Sequence, residues 1–493
     1  MNDIERAAVA ALVQRGLAHH RAGRLAAAAA AYRDALARAP DDAEALRLLG
    51  TVHAIQGDDE EALRLLRRAA ARDPGNAKTA FNIGECLRRR GDVPAAIAAY
   101  RQALVLEPET ADAQHRLALA LDLAGDVAAA ETAYRQALTL DPDNARLLTN
   151  LAVLLDGMAR RSEALALLRR AVAVAPDLAE AHANLGMVLG NLGEIDDAMV
   201  ALARAAALRP EDAHARSQLV YWRRFVCDWR GLVEAEAQVL DGVARGEPVV
   251  PFCLFPFCDD PALQRQAAAR HAATLEVDAA HRLTHPAPTP RPRLRIGYLS
   301  ADFREHATVH LAAELFGRHD RSRFEVMGYD IGAGDDSALR QRVIRAFDRF
   351  AGLQGLDDRA AAEHIHADGI DILVDLKGYT RDARSRIPAF RPAPLSVNYL
   401  GYPGTMGAPF IDYILVDRFI VPGEQQRHFS EQLVHLPHCY QINDSRRAIA
   451  EATPSRAECG LPERLRLLLL QQPLQALAGD LRPLDATPGG GAR

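Results

Sequence analysis

Six evenly spaced prolines constrain this chain more than any other feature. Pro40, Pro74, Pro108, Pro142, Pro176 and Pro210 recur every 34 residues, the period of a solenoid built from helix-turn-helix units. In the same frame Gly23, Gly57, Gly91, Gly125 and Gly193 stand 17 residues ahead of a proline. A turn between two antiparallel helices needs a permissive backbone there; the fifth unit has Ala159 instead. Eight positions into each unit the side chain is small, as Gly16, Gly50, Gly84, Ala118, Ala152 and Gly186. Ala28, Ala62, Ala96, Ala130, Ala164 and Ala198 repeat that choice on the second helix, and Tyr32, Leu66, Tyr100, Tyr134, Leu168 and Leu202 follow four positions later, on the same helical face. Small residues therefore face large ones in every unit. The proline lacks an N–H and disfavours helical geometry in the residue before it, so it predicts the end of each second helix.

This pattern resembles tetratricopeptide repeats over roughly residues 9–215, six full units with a partial seventh helix after Pro210. Such repeats stack side by side and hold partners along a concave inner face, so the expected partner is a protein or peptide acceptor on that face. Asn82, Asn150 and Asn184 occupy the sixth position of their units, where an inner-helix amide is placed to pair with an extended peptide backbone; Gln14, Leu48 and Arg116 interrupt the row.

At 493 residues the chain is long enough for two or three domains. A formal charge of −6 gives no broad basic field, which argues against nucleic acid and anionic membrane as partners. The six cysteines form no CxxC pair, so neither a zinc knuckle nor a disulfide framework is expected, and a reducing compartment fits. The first residues have no signal-type apolar core, and no stretch reaches about 18 uninterrupted apolar residues. A cytoplasmic location is the expectation.

The rhythm stops after Asp228-Trp229, and Ala287–Pro292, rich in proline, reads as a linker. From Arg293 strand-like runs at Leu294–Ser300, Phe324–Tyr329, Ile372–Leu376, Leu395–Leu400 and Tyr413–Asp417 alternate with amphipathic stretches around Ala338–Phe347 and Arg359–His366. That alternation predicts parallel strands with helices on both faces, and ligands at the carboxyl ends of the strands. At the first such end Asp302 and His306 stand four residues apart before a helical stretch, in position to orient each other and handle a proton or a diphosphate. Lys377–Thr380 and Leu400–Thr405 read as turns whose glycines supply positive φ. Glu363, His364 and His366 do not make a metal site, because residues i and i+2 of a helix face different ways and no third ligand lies nearby.

Taken together, Arg295–Phe303, Ile372–Thr380, Arg391–Pro394 and Leu400–Gly407 resemble the catalytic region of protein O-linked N-acetylglucosamine transferases and their SPINDLY-type relatives, over about residues 291–462. The fold this implies is an α-solenoid followed by an α/β Rossmann-like lobe, the first half of a B-type glycosyltransferase fold. The activity it implies is transfer of a sugar from a nucleotide-sugar donor, expected to be UDP-N-acetylglucosamine, to Ser or Thr of a protein recruited by the repeats. No metal is required in that family, and GDP-fucose remains an alternative donor. Carried over by motif, His306 and Asp302 are rival candidates for handling the proton, and Thr308, Leu400 and Gly401 match positions that contact the donor sugar. Ala307 stands where animal members have proline.

The implied organisation is a repeat superhelix over 1–225, a helical and proline-rich connector over 226–290, the lobe over 291–462, and an aberrant tail over 463–493. The family's pattern is lost after Glu463, and the nucleotides for Arg464–Leu481 are readable one frame over as a peptide of the kind relatives carry. A shifted frame and a missing second lobe are the expectation, with little or no sugar transfer by this chain alone. The alternative is a non-catalytic scaffold whose repeats bind protein partners.

Overall fold

The computed structural model describes residues 3–158, 160–285, 291–447, 452 and 454–460; the tail over 463–493 and the Ala159 turn lie outside the described residues. The chain divides into two compact units, 1–181 and 182–493.

The first unit is a run of helix pairs, from Asp3–Arg21 with Leu25–Arg38 to Ala145–Gly157 with Arg161–Val174. Local chemistry sets their ends. Asp42, Asp58, Asn76, Asp92, Asp126 and Asn144 cap helices by accepting a backbone N–H three residues on, and Gly23, Gly57, Gly91 and Gly125 take positive φ in the turns. The small-against-large pairing is direct. A Cβ on Gly16 would come within 2.3 Å of the Tyr32 ring, and one on Gly84 within 2.6 Å of the Tyr100 ring. Tyr32, Tyr100 and Tyr134 are fully buried.

The second unit opens within the helix Ala179–Leu192, continues through Ile195–Leu208, and repeats the device with Gly186 against Leu202. The sequence predicts only a partial seventh helix; both helices of a seventh pair are present, Ala213–Phe225 and Leu232–Ala244. The turn between them is lengthened by Val226–Gly231, which breaks the 34-residue frame and hides the second helix from a periodicity reading.

Behind them lies a seven-stranded parallel sheet: β1 (Leu294–Ser300), β2 (Phe324–Asp330), β3 (Arg349–Gly352), β4 (Ile372–Asp375), β5 (Leu395–Asn398), β6 (Tyr413–Asp417) and β7 (Gln432–Leu436), in the order β3-β2-β1-β4-β5-β6-β7. The five expected strands are there. β3 and β7 are additions: β3 has four residues, none buried, and β7 is an edge strand, so neither carries a strong apolar alternation. Side chains alternate between two cores as a period of two requires. Ile296 and Tyr298 pack with Val309, Ala313 and Phe316 of the helix Ala307–Arg318. Leu299 faces the other way, onto a core shared with Ala361 and Ile365 of the helix Asp358–Ala367. That second core also takes Ala268 and Ala272 from the helix Pro261–Leu275, so residues ahead of the proline-rich segment pack as part of the lobe.

Two consequences are measurable. Gly84→Val drives two extra methyl groups into the Tyr100 ring and should destabilise the first unit by about 1–3 kcal/mol, read as a lower urea midpoint of the helical circular-dichroism signal. His271 meets Tyr379 edge-on with centroids 4.6 Å apart, and burial pushes its imidazole down to about 4, with His214 adding to the shift. The unfolded chain accepts that proton near pH 6.5, whereas the folded chain resists until about 4. Stability is therefore lost as pH falls through that window, by up to roughly 3 kcal/mol. His271→Phe keeps the ring contact and should flatten the dependence of urea midpoint on pH by about one proton; an unaltered slope would assign the sensitivity elsewhere.

Candidate functional site

The strand order places a topological switch between β1 and β4. The chain leaves β1 toward β2 and β3 on one side, then returns to β4 and builds outward to β7 on the other. The loops after β1 and β4 flank this switch at the carboxyl edge, where open parallel sheets take their ligands. The sequence places Asp302 and His306 in the first loop and Lys377–Thr380 in the second.

Asp302 is 2% exposed, its backbone N–H donating to Ser300 Oγ at 3.0 Å. Its Oδ2 receives Lys377 Nζ at 2.7 Å, across 75 residues of sequence, and Thr308 Oγ1 at 3.4 Å. Lys377 is itself 5% exposed. Its own backbone N–H donates to Asp375 Oδ1 at 2.8 Å. Burial pushes the Asp375 carboxyl up, and the N–H groups of Lys377 and Gly378 oppose that. The two loops are thus pinned by a buried ion pair, and Lys377–Thr380 is more than the turn its sequence suggests.

His306 is the N-cap of the helix Ala307–Arg318. Its Nδ1 accepts the Thr308 backbone N–H at 3.2 Å and lies 3.4 Å from Asp302 Oδ2. Burial lowers its pKa; Asp302 opposes that, while Lys377, Arg304 and Arg381 reinforce it. The ring is therefore neutral near pH 7, and a neutral ring that accepts at Nδ1 carries its proton on Nε2. Ala307 is the first helical residue, a position that also suits proline.

The third wall is the turn after β5. Leu400 has φ of 70°, in the left-handed region, and a Cβ on Gly401 would lie 2.0 Å from the Leu376 carbonyl oxygen. Gly401 is thus required by the approach of the neighbouring loop, a packing constraint that stands beside the donor contact implied by resemblance. Gly378, at φ +54°, meshes likewise, because its Cβ would meet that of Tyr402 at 2.4 Å. Asn398 is fully buried; its amide N–H reaches the Tyr402 and Gly404 carbonyls, while its Oδ1 has no protein partner.

The structure thus brings Asp302, His306 and Thr308 together on one side of the switch, with Leu400 and Gly401 in the turn after β5, next to the β4 turn. Lys377, which the sequence reading passed over, joins them. The asparagines are elsewhere. In the first unit Asn82 Nδ2 donates to Thr51 Oγ1 at 2.8 Å, and Asn150 Nδ2 lies 3.1 Å from His115 Nε2. Asn184 is half-buried in the second unit. Among the described residues no group of three or more His, Cys, Asp or Glu is placed to hold a metal ion, and none of the described helices is long and apolar enough to cross a membrane.

Residues 249–456 match the family model described as glycosyl transferase family 41, and residues 7–77, 81–145, 123–185 and 179–212 match tetratricopeptide repeat models. Residues 249–456 are thus similar to family 41 glycosyltransferases, and the segments before them to tetratricopeptide repeats. It is 36% identical over 266 residues to a probable UDP-N-acetylglucosamine–peptide N-acetylglucosaminyltransferase, SEC, of Arabidopsis thaliana, covering 50% of this chain and 27% of that protein. A UDP-N-acetylglucosamine–peptide N-acetylglucosaminyltransferase of Caenorhabditis elegans is 42% identical over 162 residues, 33% of this chain and 14% of that protein. The chain therefore spans about a quarter or less of these relatives. A solved O-GlcNAc transferase mutant of Thermobaculum terrenum aligns with a TM-score of 0.42 at 30% identity, over 67% of this chain and 58% of that one.

The interlocked turns give the site its own prediction. Gly401→Ala places a methyl against the Leu376 carbonyl and should cost about 1–3 kcal/mol, read as a lower urea midpoint of tyrosine fluorescence; an unchanged midpoint would show that the β4 and β5 turns do not pack this closely.

Proposed function

We propose that this chain is the repeat arm and N-terminal Rossmann-like lobe of a protein O-linked N-acetylglucosamine transferase. Supporting this most directly, the family 41 match at 249–456 contains every group at the β1–β4 switch, so the matched region includes the carboxyl edge where a ligand is expected. The donor is UDP-N-acetylglucosamine in this reading, and the acceptor is a Ser or Thr hydroxyl of a protein held by the repeats, on their concave face, in the cytoplasm. The division into 1–225, 226–290 and 291–462 belongs to the same reading.

The chemistry follows from the groups present. An anionic diphosphate is favoured at the positive end of the helix Ala307–Arg318, with Lys377, Arg304 and Arg381 adding cationic charge near His306. His306 offers Nε2–H to a phosphate or sugar oxygen, while Thr308, Leu400 and Gly401 line the sugar's position. Asp302 accepts from the Thr308 hydroxyl and from Lys377, and the Thr308 backbone N–H orients His306. Asn82, Asn150 and Asn184 contact the peptide backbone in this reading.

Calorimetric titration of the full chain with UDP-N-acetylglucosamine should show saturable binding that His306→Ala weakens by roughly tenfold, the loss expected for one hydrogen bond to a charged group. Peptide binding without any nucleotide binding would favour the scaffold reading instead.

A further inference from the structure

The buried ion pair does more than tie two loops together. Asp302 Oδ2 is the shared acceptor of Lys377 Nζ at 2.7 Å and Thr308 Oγ1 at 3.4 Å, with His306 Nδ1 also 3.4 Å away. His306 Nδ1 has two neighbours that demand opposite things of it. The Thr308 backbone N–H, 3.2 Å away, requires a lone pair at Nδ1; the Asp302 carboxylate requires a proton there. Only one of these is satisfied by a neutral ring. Lys377 takes the shorter and charge-assisted contact with Asp302, which leaves the Thr308 N–H as the better partner for Nδ1.

We propose that Lys377 is a positioning residue that fixes the tautomer of His306: by holding the Asp302 carboxylate, it turns Nδ1 to the Thr308 N–H and leaves the proton on Nε2. His306 then meets a ligand as a hydrogen-bond donor, the form suited to a phosphate or glycosyl oxygen. Without Lys377 the carboxylate draws the proton to Nδ1, and Nε2 becomes an acceptor, the form suited to receiving a hydroxyl proton. Lys377 thus decides which of two roles the histidine plays at rest. This deepens the transferase reading and rests on it for its biological meaning.

The groups facing His306 are Asp302 and Arg304 from its own loop and Lys377 and Arg381 from the β4 loop; Glu305, in the same loop, pairs with His310 at 2.6 Å. The test uses the full chain labelled with ¹⁵N in histidine, assigned by a His306→Gln control, and needs no donor. In the unaltered protein at pH 7.5, His306 is expected as the Nε2–H tautomer. Lys377→Met should shift it toward Nδ1–H and raise its titration midpoint by about one pH unit, because a nearby cation is lost and a carboxylate is released. Lys377→Arg, which keeps the charge, should stay near the original midpoint.

An Nδ1–H tautomer in the unaltered protein overturns the proposal without any variant, and so does a Lys377→Met spectrum identical to it. Should Lys377→Met fail to fold, the tautomer of the unaltered protein and the Lys377→Arg midpoint still decide. Loss of nucleotide binding bears on the transferase reading alone, so the two failures are distinguishable.

Discussion

The candidate site depends on one buried ion pair across the switch of the parallel sheet. Lys377 and Asp302 are each almost wholly withdrawn from water, and an unpartnered charge so placed costs several kcal/mol. Together they offset that penalty, and the geometry they impose is specific. Loops 75 residues apart are held at a fixed separation, and the start of the helix Ala307–Arg318 is set relative to β4. Removing one partner leaves the other buried and uncompensated, so this contact determines position more than it adds net stability.

Around it the carboxyl edge is built from backbone approaching backbone. A Cβ on Gly332 would lie 2.1 Å from the Ala301 carbonyl oxygen, and one on Gly401 2.0 Å from that of Leu376. The turn after β2 thus rests on the turn after β1, and the turn after β5 on that after β4. Arg340 fastens the same edge, its guanidinium donating to Asp330 Oδ2 at 2.7 Å. Groups held on such interlocked turns would undergo less ordering on binding a ligand.

How much of this is legible in the sequence follows from the range of each interaction. The six periodic units are legible because each states the same local rules, a proline stop and a small residue under a large one, with a turn glycine in all but the fifth. The switch is half legible: Asp302, His306 and Thr308 are sequence neighbours at a strand exit, so their association is visible in a single motif. Lys377 is invisible as a partner because nothing local distinguishes a solvated turn lysine from one buried against a carboxylate 75 residues away. β3 escapes because none of its four residues is buried, and β7 because it is an edge. The second helix of the seventh pair escapes because Val226–Gly231 lengthens its turn. The tail over 463–493 lies outside the described residues.

In the proposed function the donor's sugar and diphosphate meet this chain at the carboxyl edge between β1 and β4. The most direct measurement is amide chemical-shift mapping of the full chain on addition of UDP-N-acetylglucosamine. Perturbations are expected to concentrate at Asp302–Thr308, Lys377–Thr380 and Leu400–Gly401, with the repeat helices of the first unit unaffected. Saturable perturbations confined to other surfaces, or none at these three turns, would contradict it.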